Sequence, residues 1–383
     1  MMAPKPLLIL NALKEEIPAF YLREAMRSYD SARQVYRLFG REDRIALQTI
    51  NLPHGYFPDM QSHMLGWFKK WLGMQDSGGP CPLPPPTNYP ERKLFCFPGK
   101  TRPSDVLSLN GYVSLRAREC QTKRRNTATF ERSAKLRDLR AILRIPAVCG
   151  TGRISTISNS EEDNCWIEKF TIESEPGVLL PCTLIGRRSP PNPGVVITTH
   201  PGGKSACLSQ PLIQRMLEKG KTLCLVDLRD IGETCWDQPE AALDTAARSA
   251  LWLGRTMLGN WFADLRAVGK ALRARSHGSI ELLGFGETSL ASLIAAVLDK
   301  RISRITAVDM LSTYVIGESA PVMNHSIFVP GILPWGDVSL LAALADCPLS
   351  VESLLDPAGK PLSKSDLSAW SREVRQLKAK LHK

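Results

Sequence analysis

The sequence predicts an α/β fold, a mostly parallel sheet with helices on both faces. Three observations lead there. Apolar runs at 195–199, 222–228 and 280–284 have strand length and no polar side, as strands buried on both faces do. Stretches of helical period alternate with them. One junction, Gly284-Phe285-Gly286-Glu287-Thr288, makes a tight small-residue turn between a strand and an apolar helix.

The elements follow in order. Pro6-Leu7-Leu8-Ile9-Leu10-Asn11 is a continuous apolar run, read as a buried strand. A helix is expected over 20–39, with Ala25, Met26, Tyr29, Ala32, Val35, Tyr36 and Phe39 on its apolar side and Gly40 ending it. Residues 44–52 read as a second strand, and Pro53-His54-Gly55-Tyr56 as a turn. Pro58 opens a helix with Met64, Trp67, Phe68 and Trp71 on one face and Gly73 at its end. Residues 74–100 are rich in Pro and Gly and read as a linker. Leu136, Leu139, Ile142 and Leu143 then give the basic stretch an amphipathic helix.

From 165 the α/β rhythm sets in. Segments 167–172 and 178–185 form a hairpin around Glu175-Pro176-Gly177. Strands at 195–199 and 222–228 end in His200-Pro201-Gly202-Gly203 and Asp230-Ile231-Gly232-Glu233, with a helix over 209–219 between them. Helices over 239–257 and 260–274 lead to the strand at 280–284, the helix at 288–299 and a strand at 305–309. A strand over 348–355 and a helix over 364–381 close the chain. The segment 6–18 weakly repeats at 348–361, and each copy is followed by a helix. The expected organisation is therefore residues 1–75 as one piece, 76–164 as linker and basic helical segment, and 165–383 as a near-complete sheet domain.

Composition narrows the function classes. The 383 residues are 43% hydrophobic and 23% charged, enough for a large core and against a disordered or fibrous chain. The 49 Lys and Arg against 38 Asp and Glu give a net charge of +11. Most of that excess lies in 114–153, where eleven basic residues face three acidic ones. No aromatic platform or nucleic-acid motif accompanies them, so they read as the solvated face of a helix rather than a nucleic-acid surface. No apolar run approaches the roughly 18 residues a membrane helix needs, and the opening lacks the pattern of a secretory signal. No membrane contact is therefore expected, and the chain as given reads as cytoplasmic. The ten cysteines show no C-x-x-C pair and the six histidines no H-E-x-x-H, so no metal is expected. Cys182 and Cys224 read as small buried thiols. No phosphate-cradling glycine loop is present, so no nucleotide and no other cofactor is implied.

The chemistry-bearing feature is the junction at 284–288. A strand, sharp turn and helix in this order lift the middle residue above the sheet beside free amides at a helix start. Here that residue is Gly286, which has no nucleophilic atom, and no G-x-S-x-G occurs anywhere. Ser205 lies at another strand end, and Ser289 lies past the turn, where attack geometry is lost. Asp230 and Glu233 read as a loop-capping pair.

The order of these pieces resembles the acetyl xylan esterase-like, prolyl-oligopeptidase-related branch of the α/β-hydrolase superfamily. The Glu175-Pro176-Gly177 hairpin, the strands ending at His200-Pro201-Gly202-Gly203 and Asp230-Ile231-Gly232-Glu233, the Leu253-Gly254-Arg255 and Asp264-Leu265-Arg266 helix positions and the 284–288 turn carry it, over about 165–360. Residues 1–73 resemble the closing third of the same fold. The resemblance implies carboxylic ester hydrolysis, deacetylation of carbohydrate, by serine, histidine and acid without a cofactor. It places Gly286 at the nucleophile, His54 at the histidine, and Glu15, with Glu16 as rival, at the acid of the first piece. Asp356 falls at the acid of the second piece. His200, Gly202, Gly203 and Glu287 fall around the oxyanion and substrate. The acid at this position is usually Asp, so Glu15 departs from the pattern. The expected partners are a small-molecule or carbohydrate ester and a missing or second hydrolase half, the N-terminal strands being candidates to complete the C-terminal sheet. The competing expectation is a non-catalytic glycan- or protein-binding scaffold.

Overall fold

The computed structural model describes residues 2–74, 77–97, 99, 101–147, 152–162, 164–187, 194–235, 239–275, 278–317 and 323–382. Cys149 lies outside the described residues. The chain divides into two compact units, Met1–Pro103 and Ser104–Lys383.

In the first unit β1 (Leu7–Lys14) and β2 (Ile45–Pro53) pair in parallel, linked by α1 (Leu22–Leu38). A parallel pair needs such a crossover, because the chain must return to the same end before the second strand starts. α2 (Pro58–Trp71) follows. Ala12, Ile50 and Met60 form the small core between strands and helix. The expected apolar side of α1 divides: Tyr36 is buried and Ala25, Tyr29 and Ala32 are half-buried, while Met26, Val35 and Phe39 stay exposed. Positions 25, 29, 32 and 36 keep the 3.6-residue period, and a two-stranded sheet is too narrow to cover a wider stripe. Part of the expected linker is folded onto α2. Cys81 N donates to Ser62 O at 3.1 Å and Ser62 Oγ to Cys81 O at 2.7 Å. Gly66 is required there, because a Cβ would stand 1.7 Å from the carbonyl oxygen of Gly79.

The second unit opens with α3 (Leu109–Asn126), a short β3 (Phe130–Glu131) and α4 (Arg132–Leu143). The strands β4 (Ile154–Glu162), β5 (Cys165–Glu175), β6 (Val178–Arg187) and β7 (Val195–Thr199) follow. Then come α5 (Gly203–Leu208), α6 (Pro211–Glu218), β8 (Thr222–Val226), α7 (Pro239–Trp252) and α8 (Met257–Arg275). β9 (Ile280–Phe285), α9 (Gly286–Leu298), β10 (Ile302–Val308) and β11 (Met310–Leu311) lead to α10 (Ile332–Trp335) and α11 (Val338–Leu344). β12 (Leu349–Val351), β13 (Leu354–Leu355), α12 (Lys364–Lys380) and β14 (Leu381–His382) end it.

The main sheet runs β12-β10-β9-β7-β8-β6-β5-β4. β12, β10, β9, β7 and β8 are mutually parallel, and β6, β5 and β4 continue antiparallel. Period-two alternation divides the strands between two cores. Val195, Ile197, Cys224, Val226 and Leu282 face one, with Trp261, Leu290 and Leu340 of α8, α9 and α11. Val196, Leu223, Leu225, Leu283 and Phe285 face the other, with Ile213 and Leu217 of α6. This is why these strands read as unbroken apolar runs.

Three sequence expectations change. The basic segment is no separate piece: Leu139 and Leu143 of α4 are fully buried in the larger core, so residues 104–164 fold with the second unit. Within the first unit β1 and β2 form a two-stranded sheet. The single strand expected over 348–355 is two. Asp309 takes φ +52° after β10, and the chain then pairs β11 with β13 in a small separate ladder. β4 was not expected at all; its side chains are almost all exposed, so it carries no apolar alternation.

Candidate functional site

The C-terminal ends of β9, β10 and β13 converge, as the topology of an open parallel sheet directs. They line a cavity of about 270 Å³. Gly286 and Glu287 come from the β9–α9 junction, Asp309 from the end of β10 and Asp356 from the end of β13. Asn324, Leu290 and Ile327 are among its other walls. Gly286 and Asp356, far apart in sequence, thus meet in one cavity.

The junction is a sharp turn from strand to helix. Gly284 is required, because a Cβ there would lie 2.5 Å from Ser289 Cα. Gly286 sits at φ +49°, and a Cβ on it would stand 3.2 Å from Pro201 Cγ. The amide of Glu287 lies in the first turn of α9, where no intrahelical carbonyl serves it. Thr288 locks the turn: its Oγ1 donates to Thr199 O at 3.0 Å and to Phe285 O at 2.8 Å. Ser289 is buried and its hydroxyl donates to Gly286 O, so it faces its own helix rather than the cavity.

The loop of His200, Gly202 and Gly203, expected around the oxyanion, makes hydrogen bonds within its own turn. Gly202 N donates to His200 Nδ1 and Gly203 N to His200 O, each at 2.9 Å. Both amides are thereby used inside the turn. Lys204 N donates to Asp227 Oδ1 at 2.7 Å, and Lys204 Nζ bridges Asp227 Oδ2 at 2.8 Å and Glu233 at 2.7 Å. Gly203 has φ +78° and a Cβ would meet Gly232 Cα at 2.7 Å, so the loop clamps the ends of β7 and β8 together. Burial holds the His200 imidazole below its ordinary pKa, which suits the acceptor role of Nδ1. Asp356 accepts from Ala358 N at 2.8 Å and Lys360 N at 2.9 Å through Oδ1, which orders its turn beside the cavity.

The first unit holds a second constellation. β1 delivers Glu15 and β2 delivers His54, and the parallel pairing brings both strand ends to the same side. His54 Nδ1 lies 2.8 Å from Glu15 Oε2. Oε1 of the same carboxylate accepts from Glu16 N at 3.1 Å and Ile17 N at 3.2 Å. The hydrogen bond from His54 holds the Glu15 carboxyl below the usual glutamate value. The Glu15 side chain is only 6% exposed and that of His54 56%, with Phe20 stacked on the imidazole at 5.9 Å. A carboxylate at Nδ1 leaves Nε2 as the basic nitrogen. Glu16 is exposed and contributes its amide, not its carboxylate, so of the two acids it is Glu15 that meets His54.

Two further features were not legible in the sequence. Asp309 joins the cavity through its left-handed turn, with its amide donating to Ser353 Oγ at 2.8 Å. His325 Nδ1 bonds Asp244 of α7, a pair 81 residues apart with no spacing signature. Among the described residues no group of His, Cys, Asp and Glu is arranged to hold a metal ion.

A scan against protein-family models and a sequence search of curated proteins both find no match. Solved structures do match. A protein from Bacteroides fragilis assigned as an acetyl xylan esterase superposes with a TM-score of 0.57 at 17% identity, covering 72% of this chain and 79% of that one. A methylesterase matches at TM-score 0.48 and 16% identity, over 70% of this chain and 56% of that one. Acetyl xylan esterase 1 from Thermoanaerobacterium sp. matches at 0.38 and 12%, over 67% and 98%. What the chain shares with the first of these is the fold, a mixed α/β architecture around a mostly parallel sheet.

Proposed function

We propose that this chain is an acetyl xylan esterase-like α/β hydrolase that has kept the ester-binding cavity and lost the serine nucleophile. One observation carries this reading. Gly286 stands at the strand–helix junction, at φ +49°, and opens into the cavity with no side chain. A carbonyl oxygen directed at the Glu287 amide would be polarised there. Leu290, Leu311 and Ile327 offer apolar wall to an acyl group or the flat of a sugar ring, and Asp309, Asp356 and Asn324 offer acceptors for sugar hydroxyls. The ligand class that fits is an acetylated carbohydrate, bound without acyl transfer. Glu15 and His54 in the first unit stand as the acid and histidine of an esterase mechanism that lacks its nucleophile here, and an associated second hydrolase half is the partner this reading implies.

The test is hydrolysis of a chromogenic acetate ester by the purified chain, alongside a serine-directed fluorophosphonate probe. The expected result is no turnover and no labelled serine, with saturable binding of acetylated xylo-oligosaccharide. Turnover with a labelled serine overturns the reading and names the nucleophile. Absence of carbohydrate binding turns the reading toward a protein-binding scaffold.

A further inference from the structure

Within the first unit β1 has one hydrogen-bonded neighbour, β2, and its other edge is open there. A hollow of about 360 Å³ runs along that edge. Its strand side includes Leu7, Leu8 and Leu10, and its helix side is one face of α2, with Trp67, Phe68 and Trp71. No described residue of β2 lines it, and Leu7 and Leu8 point to opposite faces of the strand. The hollow therefore follows the edge of β1 and not a face of the sheet.

Three observations mark this edge as one that needs cover. From Leu7 to Leu13 it carries no charge and no proline, the residues that ordinarily guard a free strand edge. β2, by contrast, carries Gln48, Thr49 and Asn51. A two-stranded sheet over a core of Ala12, Ile50 and Met60 also falls short of the three or more strands that stand alone in water. Beside the hollow, Phe68 on α2 is 54% exposed and Leu72, just past the helix, 72%.

We infer that this edge is covered by the same edge of a second copy of the chain, the two β1 strands pairing antiparallel about a two-fold axis at Leu10. Three features select a second copy. An antiparallel pair of identical strands is self-complementary in its hydrogen bonds, as a two-fold contact must be. With Leu10 on the axis, Leu8 of each copy lies opposite Ala12 of the other, on the side of the sheet where Ala12 meets Met60 of α2. Because α2 rests on both β1 and β2, strands about 4.8 Å apart put the two α2 helices about 10 Å apart, the distance at which helices pack. Phe68 and Leu72 then fill the seam between them. Finally, the exposed Lys5 ahead of β1 comes beside the exposed Glu16 that follows β1 in the other copy, once at each end of the strand pair.

The experiment is sedimentation equilibrium of the full chain over a concentration series in reducing buffer. A reversible dimer is expected, with a Kd of about 10 µM or tighter. The double variant F68E/L72E changes two exposed side chains, so the chain still folds, and it sets like charges against each other across the axis. Its Kd is expected to rise by about tenfold or more. A second variant reads the register. Under mild oxidation L10C is expected to give a disulfide-linked dimer above the background of the unsubstituted chain, whereas N51C, exposed on β2, stays at background. A chain that is monomeric throughout, a dimer that F68E/L72E leaves unchanged, or equal cross-linking of L10C and N51C would each overturn the inference. The readout is the mass of the assembly and involves no ester, so its outcome is independent of the function proposed for the Gly286 cavity.

Discussion

At the residue scale, two glycines show how backbone geometry reserves a position. Gly284 packs against the backbone of Ser289, and nothing flexible can yield there. Gly284→Ala is expected to destabilise the chain by about 2–3 kcal/mol through overpacking, read as a lower urea midpoint with an unchanged slope. Gly286 differs, because its nearest neighbour is a proline ring atom at 3.2 Å that needs to move by only a few tenths of an ångström. Gly286→Ser should therefore fold, at a cost of roughly 1–2 kcal/mol for the positive φ. If it folds and gains fluorophosphonate labelling, the turn is a nucleophile position lacking only its side chain. The Glu15–His54 pair gives a pH prediction. Because the folded pKa of Glu15 is depressed, its contribution to stability is present above the unfolded value and fades as pH falls through the folded one. An NMR titration should find Glu15 below the ordinary glutamate range, and moving up toward it in His54→Ala.

At the element scale, α4 decides where the basic segment belongs. Its outer face carries the charge, and its inner face buries Leu139 and Leu143 completely. Leu139→Ala is expected to cost about 2–5 kcal/mol in thermal or urea unfolding, the range for a buried leucine. A charged stretch hanging outside the core would lose almost nothing. The sequence showed the amphipathic period of α4 and the strands of the central sheet, because full burial leaves an unbroken apolar record. It did not show β4, whose exposed polar side chains pair with β5 through backbone groups alone. Nor did it show the break between β12 and β13. That break depends on Asp309 and Ser353, which bond each other across 44 residues.

At the scale of the whole molecule, the second unit is tied together by buried charge as well as apolar packing. Arg229 lies between Glu175 and Asp264, at 2.7 Å from the first, and Arg255 joins Glu175 at 3.0 Å. This links the β5–β6 hairpin, the β8 loop, the start of α8 and the segment before it. Arg229→Met leaves Asp264 buried without its charge partner, and a loss of about 3–5 kcal/mol is expected in equilibrium unfolding. The division into two units has its own test. Brief trypsin treatment should cut first at Arg92 or Lys93, exposed in a short turn, and release a stable fragment containing residues 104–383.

The sequence by itself determined the central strands and the helices between them, the tight turn at Gly286 and its lack of a serine, and the local settings of Glu15, His54 and Asp356. Those are properties of short segments, and burial and turn chemistry write them into neighbouring residues. Tertiary structure alone decided which of those residues meet. Glu15 rather than Glu16 reaches His54 because parallel pairing of β1 and β2 fixes which strand ends coincide. The amides of Gly202 and Gly203 donate to the imidazole and the carbonyl of His200, a pairing set by the shape of the turn. Asp309 enters the cavity only through the packing of elements distant in sequence. Such convergence leaves no mark at any single spacing, because the sheet order that produces it is set by long-range pairing and not by neighbours along the chain.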